Sequence, residues 1–317
     1  MKLYLIIAVL CAGTNHFSHA TQVSVQHEKK VCEQKPIDHA LDKYLLKAAK
    51  KGDLKKIQKL LAGHTIPDVN AKDNYIGNAA LIFAAHHGFT AIVQELIAAG
   101  ADVNIENKLG NTSLVEAARE GHTAIVQALI VAGAHINANN NGNTALMRAA
   151  YKGHTATTQA LVAAGAHIEA KDNFLGNTAL ILATAYGYTA TVQVLIAAGA
   201  ELNAKNNYGN TALMLAARYG FTAIVQALIA AGADYTEDGN KTARDYAKDK
   251  NAYDKAIAAG LAERKRYLAQ QVQAKKIVEE EKQLAPCISK IIAEYAYGPN
   301  SPIDLPKRAA DSCCVIQ

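Results

Sequence analysis

Residues Gly209 to Gly232 read GNTALMLAARYGFTAIVQALIAAG, and the same text with small changes starts again at Gly77, Gly110, Gly142 and Gly176. Those five starts lie 33, 32, 34 and 33 residues apart, a period that belongs to stacked repeats rather than to one globular core. Every copy divides the same way. Asn and Gly open a turn, as in Asn206-Asn207-Tyr208-Gly209, because Gly tolerates positive φ and Asn can bond its own backbone. Thr211 then leads a short helix to Tyr219, with Leu213, Ala216 and Ala217 on one side. Gly220 ends it, and Thr222 begins a second helix that closes at Gly232. Ile224, Val225, Leu228 and Ile229 of that second helix make an apolar stripe too wide to leave in water.

Helices of two to three turns are marginal alone, so burial has to come from neighbouring copies. The pairs Ala84/Ala85, Ala117/Ala118, Ala149/Ala150 and Ala216/Ala217 are small enough for adjacent backbones to approach, while Leu, Ile and Val fill the layers between. The text resembles the ankyrin repeat, whose pattern runs G-x-T-P-L-H-x-A-A, G-H, an apolar helix and G-A-D-x-N. The closing motif stands as Gly100-Ala101-Asp102-Val103-Asn104 and as Gly199-Ala200-Glu201-Leu202-Asn203. The resemblance implies an all-α fold, a solenoid of stacked helix-turn-helix units. Two departures matter. The family's Pro is Ala145, Ala179, Ala212 or Ser113, and its His is Ile82, Val115, Met147, Ile181 or Met214. The Thr-to-His bond that the resemblance implies is therefore absent, and softer turns are expected. The turns Asp73 to Gly77 and Asp172 to Gly176 carry one extra residue, so their tips are expected to protrude.

The resemblance extends beyond the five clear copies. Tyr44 to Leu61 reads as a divergent first unit with a coat of lysines, as a terminal cap needs for solubility. Asp238 to Ala247 opens a divergent last unit, whose second helix is expected to close at Gly260. That gives about seven units over 37–260. Residues 261–297 form an expected helical extension, exposed by composition and broken at Pro286, and 298–317 an expected disordered tail. Residues 1–20 have the make-up of a secretory signal peptide: Lys2, an apolar run from Leu3 to Ala12, and Ser18-His19-Ala20 before the cut, with 21–36 as a linker. Export in this way, to a periplasm or the outside, is the expected location. Past the leader no run is long and apolar enough to span a membrane.

A formal net charge of +5, interspersed along helix faces without stacking aromatics, does not point to nucleic acid. Removal of the leader leaves Cys32, Cys287, Cys313 and Cys314, none within the repeats, so disulfides are not expected to hold the fold. The final Cys314-Val315-Ile316-Gln317 fits a prenylation box, with Cys313 as a second acylation point. With a signal peptide, that modification requires delivery into a eukaryotic cell, and its consequence is peripheral membrane attachment there.

No motif of catalysis is present: neither G-x-x-x-x-G-K-[ST], H-E-x-x-H, G-x-S-x-G nor Cys-x-x-Cys occurs. His86 and His87 are neighbours on a helix and point about 100 degrees apart, a poor arrangement for one metal ion. No enzyme activity, cofactor or metal is expected. The resemblance instead implies an unidentified protein partner held by turn tips and by first-helix ends on the concave side. The tips are Tyr75, Leu109, Phe174 and Tyr208, and the helix ends His86, His87, Arg119, Glu120, Tyr151, Lys152, Tyr186, Arg218 and Tyr219. These are the positions where the copies differ most. Tyr151, Tyr186 and Tyr219 beside Arg119 and Arg218 are expected to form an aromatic and basic row, the residue types that anchor interfaces.

Overall fold

The computed structural model describes residues 38–138, 142–235 and 243–296, with side chains in the last stretch to residue 279 and at Lys282. The leader, all five cysteine side chains and the proline-rich tail lie outside what is described. Among the described residues there are fourteen helices: α1 Asp42–Lys51, α2 Leu54–Ala62, α3 Ala80–His87, α4 Thr90–Ala98, α5 Ser113–Glu120, α6 Thr123–Val131, α7 Ala145–Lys152, α8 Thr155–Ala163, α9 Ala179–Ala185, α10 Thr189–Ala197, α11 Ala212–Tyr219, α12 Thr222–Ala231, α13 Ala243–Tyr246 and α14 Lys250–Ala296. They pair into helical hairpins. The chain divides into two compact units at Ala166/His167.

In the first unit, α1, α3, α5 and α7 pack side by side, as do α2, α4, α6 and α8. The alanine pairs of the first helices are wholly buried there, together with Leu81, Leu114 and Leu146. The second helices bury Ile92, Val93 and Leu96, or Ile125, Val126 and Leu129. In the second unit, α9, α11 and α13 pack in a row, and α10, α12 and α14 in another, around Leu180, Leu213, Leu195 and Leu228. Burial therefore arises between copies, as the shortness of each helix requires.

Polar contacts set the spacing of the layers. Asn70, Asn104 and Asn203, which end the closing motif, each accept through Oδ1 from a backbone N–H of the next copy, at Asp102 (2.8 Å), His135 (2.7 Å) and Asp234 (2.9 Å). Glu169 does the same for Glu201 at 2.8 Å. In place of the Thr-to-His bond, Thr112, Thr144, Thr178 and Thr211 accept from the backbone N–H three residues on, at 3.3, 3.3, 3.4 and 3.3 Å. The threonine thus acts as the helix N-cap. The second copy lacks it: Ala79 precedes α3 in the same extended conformation with no side-chain bond. Ala79→Thr is expected to raise the free energy of unfolding by about 1 kcal/mol, read from urea denaturation.

The far end departs from the sequence reading. Gly260 does not close a helix and Pro286 does not break one: α14 is a single helix of 47 residues running through both. The boundary drawn between 260 and 261 falls inside it. Gly260 is there for contact, because a methyl group at its Cα would lie 2.7 Å from the Gln226 carbonyl oxygen and 2.8 Å from Ile229 Cβ. Without a side chain, α14 lies directly on α12. At Pro286 one backbone hydrogen bond is forfeited, but the residues leading into it, Lys282 to Ala285, are strong helix formers and the helix continues. Arg244 clamps α13 to α14 through two bonds to the Asp254 carboxylate, both 2.9 Å.

Candidate binding surface

The tip residues are exposed: Tyr75 and Phe174 at 86% and 81%, Tyr208 and Leu109 at 72% and 58%. The two longer turns carry the two most exposed rings, as an added residue at the tip requires. Each tip is held from below by an Asp or Asn. Asp73 Oδ1 accepts from the backbone N–H of Tyr75, Ile76 and Gly77 at 3.0, 2.9 and 2.7 Å. Asp172 holds Phe174, Leu175 and Asn177, Asn107 holds Leu109 and Asn111, and Asn206 holds Tyr208 and Asn210. Side-chain bonds between neighbouring turns, Asn107 to Asn78 at 2.8 Å and Asn206 to Asn177 at 2.9 Å, fix one tip to the next. The large apolar tip groups thus stand on backbone that is hydrogen-bonded from below.

The first-helix ends are built differently from the expected row. Counted back from the glycine or turn that ends each first helix, His87, Glu120, Lys152, Tyr186 and Tyr219 share one column, and His86, Arg119, Tyr151 and Arg218 the column before it. Tyr151 is therefore out of register with Tyr186 and Tyr219, about 100 degrees round its helix. Within the second unit, Tyr186 stacks on Tyr188 (centroids 6.2 Å apart) and Tyr219 tilts over Phe221 at 5.9 Å. In the first unit His87 stacks on Phe89 at 5.7 Å, while Lys152 Nζ lies 5.8 Å from the Tyr151 ring. These rings are half exposed and partly occupied by their own repeats.

His86, Arg119 and Glu120 come together around a residue the sequence reading left out, Glu116, which is 5% exposed. Its Oε1 accepts from Asn111 Nδ2 at 2.8 Å and its Oε2 from Arg119 at 2.9 Å, with His86 Nδ1 at 3.2 Å. Arg119 Nε donates to Glu120 Oε1 at 2.8 Å, and a second guanidinium nitrogen of Arg119 lies 3.2 Å from His86 Nδ1. Which contact His86 makes depends on its tautomer: Nδ1 without a proton accepts from Arg119, and Nδ1 with a proton donates to Glu116. One ligand atom from each of His86, Glu116 and Glu120 lies within 4.8 Å of the others, but the Arg119 guanidinium already stands among them as the cation. With His86 neutral, the two carboxylates exceed the one guanidinium by a single negative charge.

At Glu120 partial burial pushes the carboxyl up, but the hydrogen bond and charge of Arg119, with His86 and Lys152, outweigh it and hold the group below its ordinary 4.5. A carboxyl depressed on folding stabilises above its unfolded value, and that contribution is lost as pH falls through the folded one. Glu120→Gln is expected to flatten the acid limb of the melting temperature below about pH 5. An acid limb identical to that of the unaltered protein would remove Glu120 from the cluster's energetics.

His122 and His154 stand at the corner between first and second helices. Each ring lies over the glycine of the preceding copy, Gly88 and Gly121, and its Nε2 meets the carbonyl of His86 (3.2 Å) or Arg119 (3.0 Å). No helix of the described residues is long and apolar enough to cross a membrane.

Comparison with known proteins agrees with this geometry. The family model for ankyrin repeats (3 copies) matches residues 45–140, 81–172 and 171–239, together more than half of the chain. No curated protein matches it. Among solved structures, the human ASB11 ankyrin repeat domain is 26% identical with a TM-score of 0.60, covering 68% of this chain and 96% of that one. The ankyrin repeat domain of Bcl-3, described as a unique member of the IkappaB protein family, is 27% identical with a TM-score of 0.59, covering 66% and 96%. Ankyrin repeats in general serve as protein-protein interaction modules and are typically non-enzymatic. With its repeats matched in sequence and its helical hairpins matched in structure, the chain belongs to the ankyrin repeat family.

Proposed function

We propose that this protein is a non-enzymatic scaffold, exported from the cell that makes it, which grips a protein partner with its turn tips and the adjoining first-helix ends. The observation that carries the reading is the set of large apolar tips, Tyr75, Leu109, Phe174 and Tyr208, exposed yet held on backbone tied down by Asp and Asn side chains. A preorganised apolar anchor loses little freedom on binding, which is where affinity is gained. Changing the four tips together to Ser is expected to abolish capture of the partner from lysate and leave the melting curve within a few degrees of the original. Changing Tyr151, Tyr186 and Tyr219 to Ala tests the helix ends in the same assay. Capture unaffected by both sets removes the surface from consideration.

A second reading rests on Cys314-Val315-Ile316-Gln317: delivery into a eukaryotic host, lipidation of Cys314 with Cys313 beside it, and recruitment of a host target to a membrane. These residues lie outside the described part. A cytosolic reporter ending in them that moves to membranes in animal cells supports it, and a reporter that stays soluble ends it.

A further inference from the structure

At four corners the residue just before the second helix is a ring that lies over the glycine of the preceding copy: Phe89 over Gly52, His122 over Gly88, His154 over Gly121 and Phe221 over Gly187. The fit is close. A methyl group on those glycines would meet ring atoms at 2.7, 2.7, 2.6 and 2.9 Å. Such a corner is a flat seat, made by a glycine in the left-handed region, which a side chain would fill.

The last corner has the seat without the ring. Asp249 directly precedes α14, where Phe221 precedes α12, and it turns back to cap its own helix, accepting from the Ala252 N–H at 3.0 Å. Gly220, with φ 76, is overlain only by the aliphatic stem of Lys248, whose Cδ would stay 3.5 Å from an added methyl group. Beside it opens a groove of about 340 Å³, walled by Gly220, Thr222, Val225, Lys248, Ala252 and Tyr253. Tyr253 is 5% exposed and its hydroxyl has no hydrogen-bond partner. Burial pushes that hydroxyl up to about 12, with Asp254 adding to the effect, so it keeps its proton for donation. The Arg218 carbonyl stands two residues before Gly220, the place from which His86 and Arg119 offer theirs to a histidine ring.

We propose that the groove over Gly220 receives one flat ring, phenylalanine or histidine, from a partner polypeptide. This deepens the reading above and rests on the partner being a protein. The chain itself supplies the precedent, since the same seat takes Phe twice and His twice. A histidine seated there donates to the Arg218 carbonyl as His122 donates to that of His86. The Lys248 stem swings aside, a movement open to a flexible surface side chain.

The test uses the full chain and short Gly-Ser peptides with one central Phe, His or Ala, followed through the backbone amide signals of Gly220, Lys248 and Ala252. Phe and His peptides are expected to shift these signals with affinities about tenfold or more above the Ala peptide, the gain from burying one ring. Asp249→Phe, which copies Phe221, is expected to abolish the shifts; Lys248→Ala is expected to strengthen them. Should Asp249→Phe not fold, Ala252→Trp fills the groove from the other wall and is expected to abolish the shifts as well. Equal response to Phe and Ala peptides, or shifts that survive in a folded groove-filled variant, overturns the proposal. Failure here leaves the tip result standing, because capture by the tips is read in a separate assay and through different residues.

Discussion

Gly260→Val is expected to detach α14 from α12. An isopropyl group on that Cα has nowhere to go: the Gln226 carbonyl oxygen lies 2.7 Å, and Ile229 Cβ 2.8 Å, from the position of its first carbon. Neither neighbour is the far end of a flexible chain, since one is backbone and the other is a branched Cβ inside a helix. Relief requires the helices to part, which uncovers Ile229 and Leu228, both wholly buried. Overpacking of this kind costs typically about 1–3 kcal/mol, and with the lost burial the expected destabilisation of the last two units is about 3 kcal/mol. Hydrogen exchange reads it directly: amides of Lys250 to Leu261 lose protection while those of α3 to α6 keep theirs. Gly260→Ala is expected to show a smaller loss in the same direction. Unaltered exchange in the valine variant would mean that α14 does not rest on α12 at this point.

Glu116→Ala is expected to destabilise the first unit by about 2–3 kcal/mol, measured as a lower urea midpoint. Its carboxylate is the shared acceptor for Asn111, Arg119 and His86, and deletion strands the buried Asn111 amide and the part-exposed Arg119 guanidinium as well as removing a charge. Leaving one side of a buried ion pair unpaired costs about 3–5 kcal/mol. The value here is set lower because Arg119 is one-third exposed and recovers part of its hydration. Glu116→Gln keeps the acceptor for Asn111 and is expected to lose roughly half as much. A double-mutant cycle with Arg119→Ala isolates the pair, and a coupling free energy near zero would show that the two residues act independently.

The fold was open to reading because each unit states the same solution five times. The period, the alanine pairs and the apolar second helices follow from short helices that must bury themselves against copies. A residue type misleads when its neighbours are left out. Gly232 ends α12 in the left-handed region, φ 107, and Gly260 at the matching place carries the same signal; only the distance to Gln226 reveals a close helix crossing. Tyr151, Tyr186 and Tyr219 look like a row in the text, yet counting back from the closing glycine puts Tyr151 in another column. Glu116 left its mark only by contrast, being a lone acid where other copies carry Phe83, Arg148, Leu182 and Leu215. Its partners His86 and Arg119 sit one repeat apart in the same column, a pairing that appears once the copies are written in register. The corner rings illustrate the reverse: each covers the glycine of the copy before it, so their meaning lies between units and is invisible within one.

Because the seventh hairpin and the extension are one helix, the end of α14 is carried as though on a boom. At about 1.5 Å per residue, its 47 residues span roughly 70 Å. Along such a spar, reach and bearing are counted in residues. Removing two would swing whatever follows through about 200 degrees, to nearly the opposite side, whereas removing seven would shorten the standoff by about 10 Å and leave its heading almost unchanged.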